Sequence, residues 1–316
     1  MSGTSGGTRV DLGLHLWAQN ATWRDMRDAA VLAEAAGFRY VWTWDHLLAI
    51  FGDPRQPALE GWTALAALAE ATASAEIGLL VSANTFRNPG LVAKMAATVD
   101  EISGGRAILG IGAAWCEREH LVHGIEFGSS PGERLRWLDE AVVAIRALLS
   151  GEAYTSRTGD HYSLVEAFHA PRPVRGRMPI LIGGGGERKT LRIVAEHADL
   201  WNVMGSPDEV ARKSGILDEH CADVGRSPHD IRRTVTIRVL VRDHLSDAER
   251  AWQELLEGNG ATGLTYLAAI TGEPERVADG VRAYVDAGFD TVIIELPAPY
   301  DAETIERLPG EVLPLL

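Results

Sequence analysis

Short β-branched or leucine-rich runs alternate along this chain with longer stretches whose apolar residues recur every three or four positions. The short runs predict strands and the longer ones amphipathic helices. Val10–Leu16 reads as strand one. A helix over Trp23–Ala36 follows, with Thr22 as N-cap and Gly37 just past its end. Tyr40–Trp44 is strand two, and Glu60–Ala73 a helix rich in Ala and Leu. Glu76–Ser82 is strand three, followed by a helix over Leu91–Ile102 with Pro89 near its start. Arg106–Gly112 is strand four and Gly132–Leu149 a strongly amphipathic helix. Strands five and six, Pro179–Ile182 and Asp199–Met204, are followed by helices Lys189–His197 and Asp208–Val224. Thr234–Val241 is strand seven, with helices Ser246–Leu256 and Pro274–Ala287 after it. Thr291–Leu296 is strand eight, and Ala302–Leu308 a last short helix.

Eight strands alternating with helices predict an α/β fold, a (β/α)8 TIM barrel. The rival is a doubly wound open sheet, which usually carries a Gly-rich loop after strand one. Leu14–Asn20 has none, so the barrel is preferred. No linker interrupts the pattern, and residues 1–316 read as one domain. Two connections, Leu47–Leu59 and Gly151–Met178, exceed usual loop lengths and read as functional lids.

Composition narrows the partners. The net charge is −14, which argues against nucleic acid and against an anionic membrane. Cys116 and Cys221 lie far apart in no metal motif, which suits a reducing compartment. Residues 1–8 are Gly/Ser/Thr-rich and read as a disordered tail without the pattern of a signal peptide. No apolar run is long enough to span a bilayer. A cytoplasmic protein acting on a small molecule is expected.

In a parallel barrel the carboxyl ends of the strands bind ligands, so the residues there are the candidates. Strand two ends in Trp44-Asp45-His46. A histidine at such a place can give and take protons near neutrality, although His46 read alone favours a structural role. Strand one ends at His15 and Trp17, where His15 is more often a core or rim residue. Strand three runs into Ser82-Ala83-Asn84 and Arg87; Arg87 read alone is as readily a surface ion pair. Strand four ends in Gly110-Ile111-Gly112-Ala113-Ala114-Trp115, whose small residues suit close approach or a tight barrel corner. Four glycines, Gly183–Gly186, open a helix with Arg188 and Lys189 in its first turn. That favours a phosphate site over a plain turn. Trp17, Trp44, Trp115 and Trp201 fall near strand ends and could wall a flat aromatic ligand. Glu117, His120 and His123 share a helical spacing, but a solvated face is preferred to a metal trio. Ser-hydrolase and NTPase motifs are absent.

Taken in order, Trp44-Asp45-His46, Ser82–Pro89, Gly110–His120 and Gly183–Gly186 resemble the luciferase-like monooxygenase superfamily, within it the deazaflavin branch that uses coenzyme F420. The likeness runs from about Val10 to Leu296. It implies a TIM barrel with an insertion after strand four (residues 113–178) and a tricyclic cofactor ring at the barrel mouth. Asp45 would contact the cofactor and His46 would be the acid/base. A non-prolyl cis peptide would fall at Leu80-Val81. Leu80, Val81, Ser82, Ala83, Asn84, Gly112, Ala113, Ala114, Trp115, Gly184, Gly185, Gly186, Arg188 and Lys189 would line the cofactor, and His15, Trp17, Trp44 and Trp201 the substrate. The implied activity is hydride transfer to or from a small apolar or conjugated substrate. FMN is the alternative cofactor, with monooxygenation as its chemistry, and a non-catalytic deazaflavin-binding protein is a further alternative. A homodimer is expected from the family's apolar surface helices. The sugar-phosphate dehydrogenases of this branch carry a glutamate where Trp115 stands and a lysine after strand six that Asn202–Pro207 does not supply, which puts sugar-phosphate oxidation in doubt.

Overall fold

The computed structural model describes residues 10–316. The expected tail, residues 1–8, lies outside the described residues. The chain runs β1 (Asp11–Leu16), α1 (Trp23–Ala36), β2 (Tyr40–Thr43), α2 (Gly61–Ala71), β3 (Glu76–Leu79), β4 (Ser82–Ala83) and α3 (Pro89–Ser103). It continues through β5 (Ala107–Gly112), α4 (Glu117–His123), α5 (Pro131–Ser150), β6 (Ile180–Gly183), α6 (Thr190–His197), β7 (Leu200–Val203) and α7 (Pro207–Asp223). β8 (Arg232–Ile237), β9 (Val239–Val241), α8 (Leu245–Gly258), β10 (Ile270–Gly272), α9 (Pro274–Asp286), β11 (Thr291–Leu296) and α10 (Ala302–Arg307) complete it.

The sheet neighbours run β3-β2-β1-β11-β8-β7-β6-β5-β4, and a further β3–β5 pairing closes the ring. With β3 and β4 as two halves of one barrel position, this is a closed eight-position parallel (β/α)8 barrel. The predicted caps on α1 are present. Thr22 accepts from the Asp25 N–H in a reciprocal capping box, and Gly37 ends the helix at φ 106°, a conformation costly for any residue with a Cβ.

Two cores hold the barrel. Between sheet and helices lies a continuous apolar layer. Inside the barrel, Tyr40, Trp42, Leu80, Ile108, Leu181, Leu200 and Ile293 fill the lower part. Trp42 takes so much of that space that a Cβ at Gly78 would sit 2.5 Å from its ring. Packing at this density leaves no room for the extra methyl.

Two strands differ from their predicted extents. Strand three is split into β3 and β4 by a cis Leu80-Val81 bond. Strand seven leaves the barrel after Ile237. The Arg238 side chain meets Glu295 of β11 at 2.5 Å, and Val239–Val241 pairs instead with β10 outside the barrel. Between β5 and β6 stand α4, α5 and an irregular strap over 151–179. One antiparallel bridge, Tyr154 to Ala167, organises the strap, and Tyr162 anchors it to Asn84. The loop after β2 is tied down by Gln19, which accepts from the Ile50 and Phe51 N–H groups and donates to the Asn259 carbonyl.

Candidate active site

At the carboxyl ends of the strands opens a cavity of about 610 Å³. Trp44, Asp45 and His46 after β2, Leu80, Val81 and Ala83 around the split strand, and Gly112–Cys116 after β5 line one half. Gly183–Gly186 after β6 and Asn202–Met204 at the end of β7 line the other, with Pro131, Arg134 and Leu135 of α5 and Lys213 of α7.

The best-defined chemical group is His46. Its Nδ1 lies 2.8 Å from Glu119 Oε2. Glu119 is a residue that the spacing of Glu117, His120 and His123 hides. It sits on the buried side of α4, 1% exposed, and its other oxygen accepts from the Leu47 N–H at 2.5 Å and the Leu48 N–H at 3.2 Å. Burial pushes the Glu119 carboxyl up, but the His46 and backbone hydrogen bonds outweigh it and hold the pKa below the usual value. An ionised Glu119 accepts from Nδ1–H, which fixes the imidazole tautomer and leaves Nε2 as the nitrogen open to the cavity. Trp44 and Trp115 meet the His46 ring edge-on, at 5.2 and 5.7 Å between centres.

Asp45 borders the cavity, but its carboxylate is fully engaged elsewhere. It accepts from Ser82 Oγ, the Ala83 N–H and both Nη atoms of Arg87, at 2.7 to 3.1 Å. Arg87 also reaches Glu60 at 2.5 Å, and Trp62 donates to Ser82. Arg87 is therefore a partly buried clamp rather than a surface ion pair. Asp45 joins the end of β2 to the bulge in strand three, so it sets where His46 stands relative to Val81. Ser82 and Asn84 belong to this supporting layer and do not reach the cavity, because their polar groups are spent on Asp45 and Tyr162.

Val81 lines the cavity beside the ends of β5 and β6. A Cβ at Gly112 would lie 2.7 Å from Val81 Cγ2, and one at Gly183 would lie 2.9 Å from Cγ1. Those two glycines make room for Val81, a steric duty that a phosphate reading does not cover. Gly184, Gly185 and Gly186 face the cavity, and Thr190 at the start of α6 joins them. The cations do not. Arg188 and Lys189 are exposed on the turn and do not line the cavity. In their place Lys213 comes in from α7, its Nζ 2.9 Å from where a Gly185 Cβ would be, and Arg134 from the first turn of α5. Arg134 is 8% exposed, stacks over Phe127 at 3.8 Å, and its Nε has no hydrogen-bond partner among the described residues. Burial pulls its pKa down and Glu117 partly opposes that. Two cations beside a glycine turn at the start of a helix form a place for an anion.

Three further residues expected against the substrate do not reach the cavity. Trp17 is fully buried and donates to Glu295 at 2.8 Å. Trp201 is fully buried and donates to the Gly184 carbonyl at 2.8 Å, so it braces the glycine turn from behind. His15 is 5% exposed and sits below Trp44 in the barrel mouth. Trp44 and Trp115 remain as cavity walls. The metal trio does not form: His120 is buried and bonds Thr85 and the Cys116 carbonyl, while His123 bonds the Glu119 carbonyl.

The mouth of this parallel barrel gathers a carboxylate-backed histidine, a glycine turn and the cations Arg134 and Lys213 around one cavity. The chain belongs to the luciferase-like monooxygenase family, whose profile matches residues 6–266, and it is an oxidoreductase. A curated relative, the F420-dependent glucose-6-phosphate dehydrogenase of Microbacterium testaceum, is 29% identical and aligns over 92% of this chain and 93% of its own length. The phthiodiolone/phenolphthiodiolone dimycocerosates ketoreductase of Mycobacterium bovis is also 29% identical, over 88% of this chain and 75% of its own. Among solved structures, the coenzyme F420-dependent tetrahydromethanopterin reductase of Methanopyrus kandleri superposes with a TM-score of 0.82 at 21% identity, covering 97% of this chain and 99% of that one. An F420-dependent secondary alcohol dehydrogenase superposes at 0.85 with 19% identity, over 98% and 99%. These two likenesses show the fold.

Proposed function

We propose that this protein is a coenzyme F420-dependent oxidoreductase that moves a hydride between the deazaflavin and a small, largely apolar alcohol or ketone. The observation that carries the reading is the fixed His46, its Nδ1 held by Glu119, in a cavity that also holds the glycine turn, Arg134 and Lys213. The names of the curated relatives and the fold likenesses support it.

The residues fit the cofactor. Val81 would support the ring, and Gly184–Gly186, Thr190, Arg134 and Lys213 would surround its phosphodiester and acidic tail. When bound, the deazaflavin gives or accepts a hydride at the central carbon of its ring. The chain's own residues handle the proton. His46 Nε2 gives a proton to the carbonyl oxygen as hydride reaches the carbonyl carbon, and takes one from the hydroxyl in the reverse direction. Glu119 stabilises the imidazolium formed in that direction. Trp44 and Trp115 exclude water from the reacting atoms. Two free thiols, Cys116 and Cys221, suit the cytoplasm as its compartment.

The test is a titration of the protein with F420 and, separately, with FMN, followed by tryptophan fluorescence. Micromolar F420 binding is expected, weakened about tenfold or more by Lys213→Met or Arg134→Leu. Tight FMN binding with none of F420 would overturn the reading.

A further inference from the structure

His46 and Glu119 meet at 2.8 Å although 73 residues separate them, and each has a polar neighbour in sequence that bonds elsewhere. Asp45 precedes His46, and His120 follows Glu119. Both of these neighbours turn to one place, the 3₁₀ turn Asn84–Phe86 with Arg87 after it, between β4 and α3. Arg87 donates to the two carboxylate oxygens of Asp45 at 2.7 and 3.0 Å. Thr85 Oγ1 lies 2.6 Å from His120 Nε2. The other ring nitrogen gives the direction of that bond. His120 Nδ1 lies 2.9 Å from the Cys116 carbonyl, which can only accept, so Nδ1 carries the proton. Burial lowers the His120 pKa and keeps the ring neutral, so Nε2 accepts and Thr85 donates. Phe86 packs on the same imidazole at 4.8 Å between ring centres. Asn84 and Tyr162 of the strap exchange two hydrogen bonds, both of 3.0 Å.

We propose that Thr85 and Arg87 are positioning residues for the acid/base pair: the turn grips Asp45 through Arg87 and His120 through Thr85, and so holds His46 and Glu119 at hydrogen-bond distance. Neither side chain lines the cavity, so both act through a neighbour of the group they place. The need for such a grip lies in α4. It has seven residues, too few for a helix to be stable by itself, so its place against the end of β2 is imposed by contacts. The Glu119 bonds to Leu47 and Leu48 are one set of contacts, and the His120–Thr85 bond, one residue further on, is the other. The effect on turnover rests on the function proposed above, whereas the His46–Glu119 bond needs neither cofactor nor substrate.

The experiment compares Thr85→Val, Thr85→Ser and Arg87→Met with the wild type. In ¹⁵N-histidine NMR spectra of the F420-free protein, the His46 Nδ1 proton is drawn downfield by its bond to Glu119. That signal should move upfield in Thr85→Val and Arg87→Met and stay in place in Thr85→Ser, which keeps the hydroxyl. Turnover on an accepted alcohol or ketone should fall about tenfold to a hundredfold in the first two variants and less than about threefold in Thr85→Ser, with F420 affinity within about threefold throughout. Arg87→Met leaves the buried Asp45 carboxylate without its cation, and if it does not fold, Thr85→Val carries the test alone. In a Glu119→Gln background Thr85→Val should cost no further turnover, because the bond it protects is already gone. An unmoved His46 signal in Thr85→Val overturns the proposal. So does a further loss from Thr85→Val in the Glu119→Gln background as large as in the wild type, since a merely structural role acts in both. Failure of the proposed function reads differently: a protein that binds no F420 has no turnover to lose, yet its His46 signal still answers to Thr85→Val.

Discussion

The indole of Trp44 meets two imidazoles edge-on, His46 at 5.2 Å and His15 at 6.4 Å between ring centres, and each has a buried glutamate near it. The two pairs are treated in opposite ways. Glu119 accepts from His46 at 2.8 Å and from the Leu47 and Leu48 N–H groups, beside the Cys116 thiol, so its charge is available to the imidazole. Glu295 is already taken by Trp17 at 2.8 Å and Arg238 at 2.5 Å, and His15 Nδ1 stands 4.0 Å away. Both ring nitrogens of His15 are buried without a hydrogen-bond partner among the described residues. Burial lowers its pKa from 6.5 to about 4, with Glu295 opposing. A histidine at a barrel mouth is therefore not a catalyst by position. The carboxylate behind it must be free to serve it, and here only one of the two is.

The comparison breaks first in kinetics. His46→Ala should lower turnover on an accepted alcohol or ketone by roughly 10²- to 10⁴-fold, the usual worth of a general acid/base. His15→Gln should leave turnover within about threefold. Equal losses, or none in His46→Ala, would end the distinction. The next effect is on stability. Between pH 6.5 and about 4 the unfolded chain protonates His15 while the folded chain keeps it neutral. Stability is present above pH 6.5 and is lost as pH falls toward 4, by roughly 3 kcal/mol from this group. Urea unfolding at pH 7 and pH 4 checks it. His15→Gln should lose less stability over that interval than the wild type by about that amount, and parallel losses would contradict it.

The alternation of strand and helix patterns was legible because an eight-fold repeat of buried strands leaves a strong period in the sequence. The caps Thr22 and Gly37 were legible for local reasons. The site was only partly so. His46 and the glycine turn lie at strand ends, where position marks them, whereas Val81 was implied only by the family resemblance. Glu119 was not visible, since its tie to His46 spans 73 residues and the helical spacing of Glu117, His120 and His123 points past it. Lys213 and Arg134 reach the cavity on long side chains from helices, and nothing local in the sequence records that reach. Trp17 and Trp201 were misplaced for a further reason. Each follows or ends a strand, but a single bond settles its direction: Glu295 for one, the Gly184 carbonyl for the other.

The most direct measurement reads the two rings themselves. In ¹⁵N-histidine NMR spectra near pH 5.5, with and without F420, His46 should appear with its proton engaged at Nδ1 and its signals should move as F420 is added. His15 should be neutral, with its signals displaced little. A His15 that protonates and follows the cofactor while His46 stays silent would contradict the assignment of roles and the site built on it.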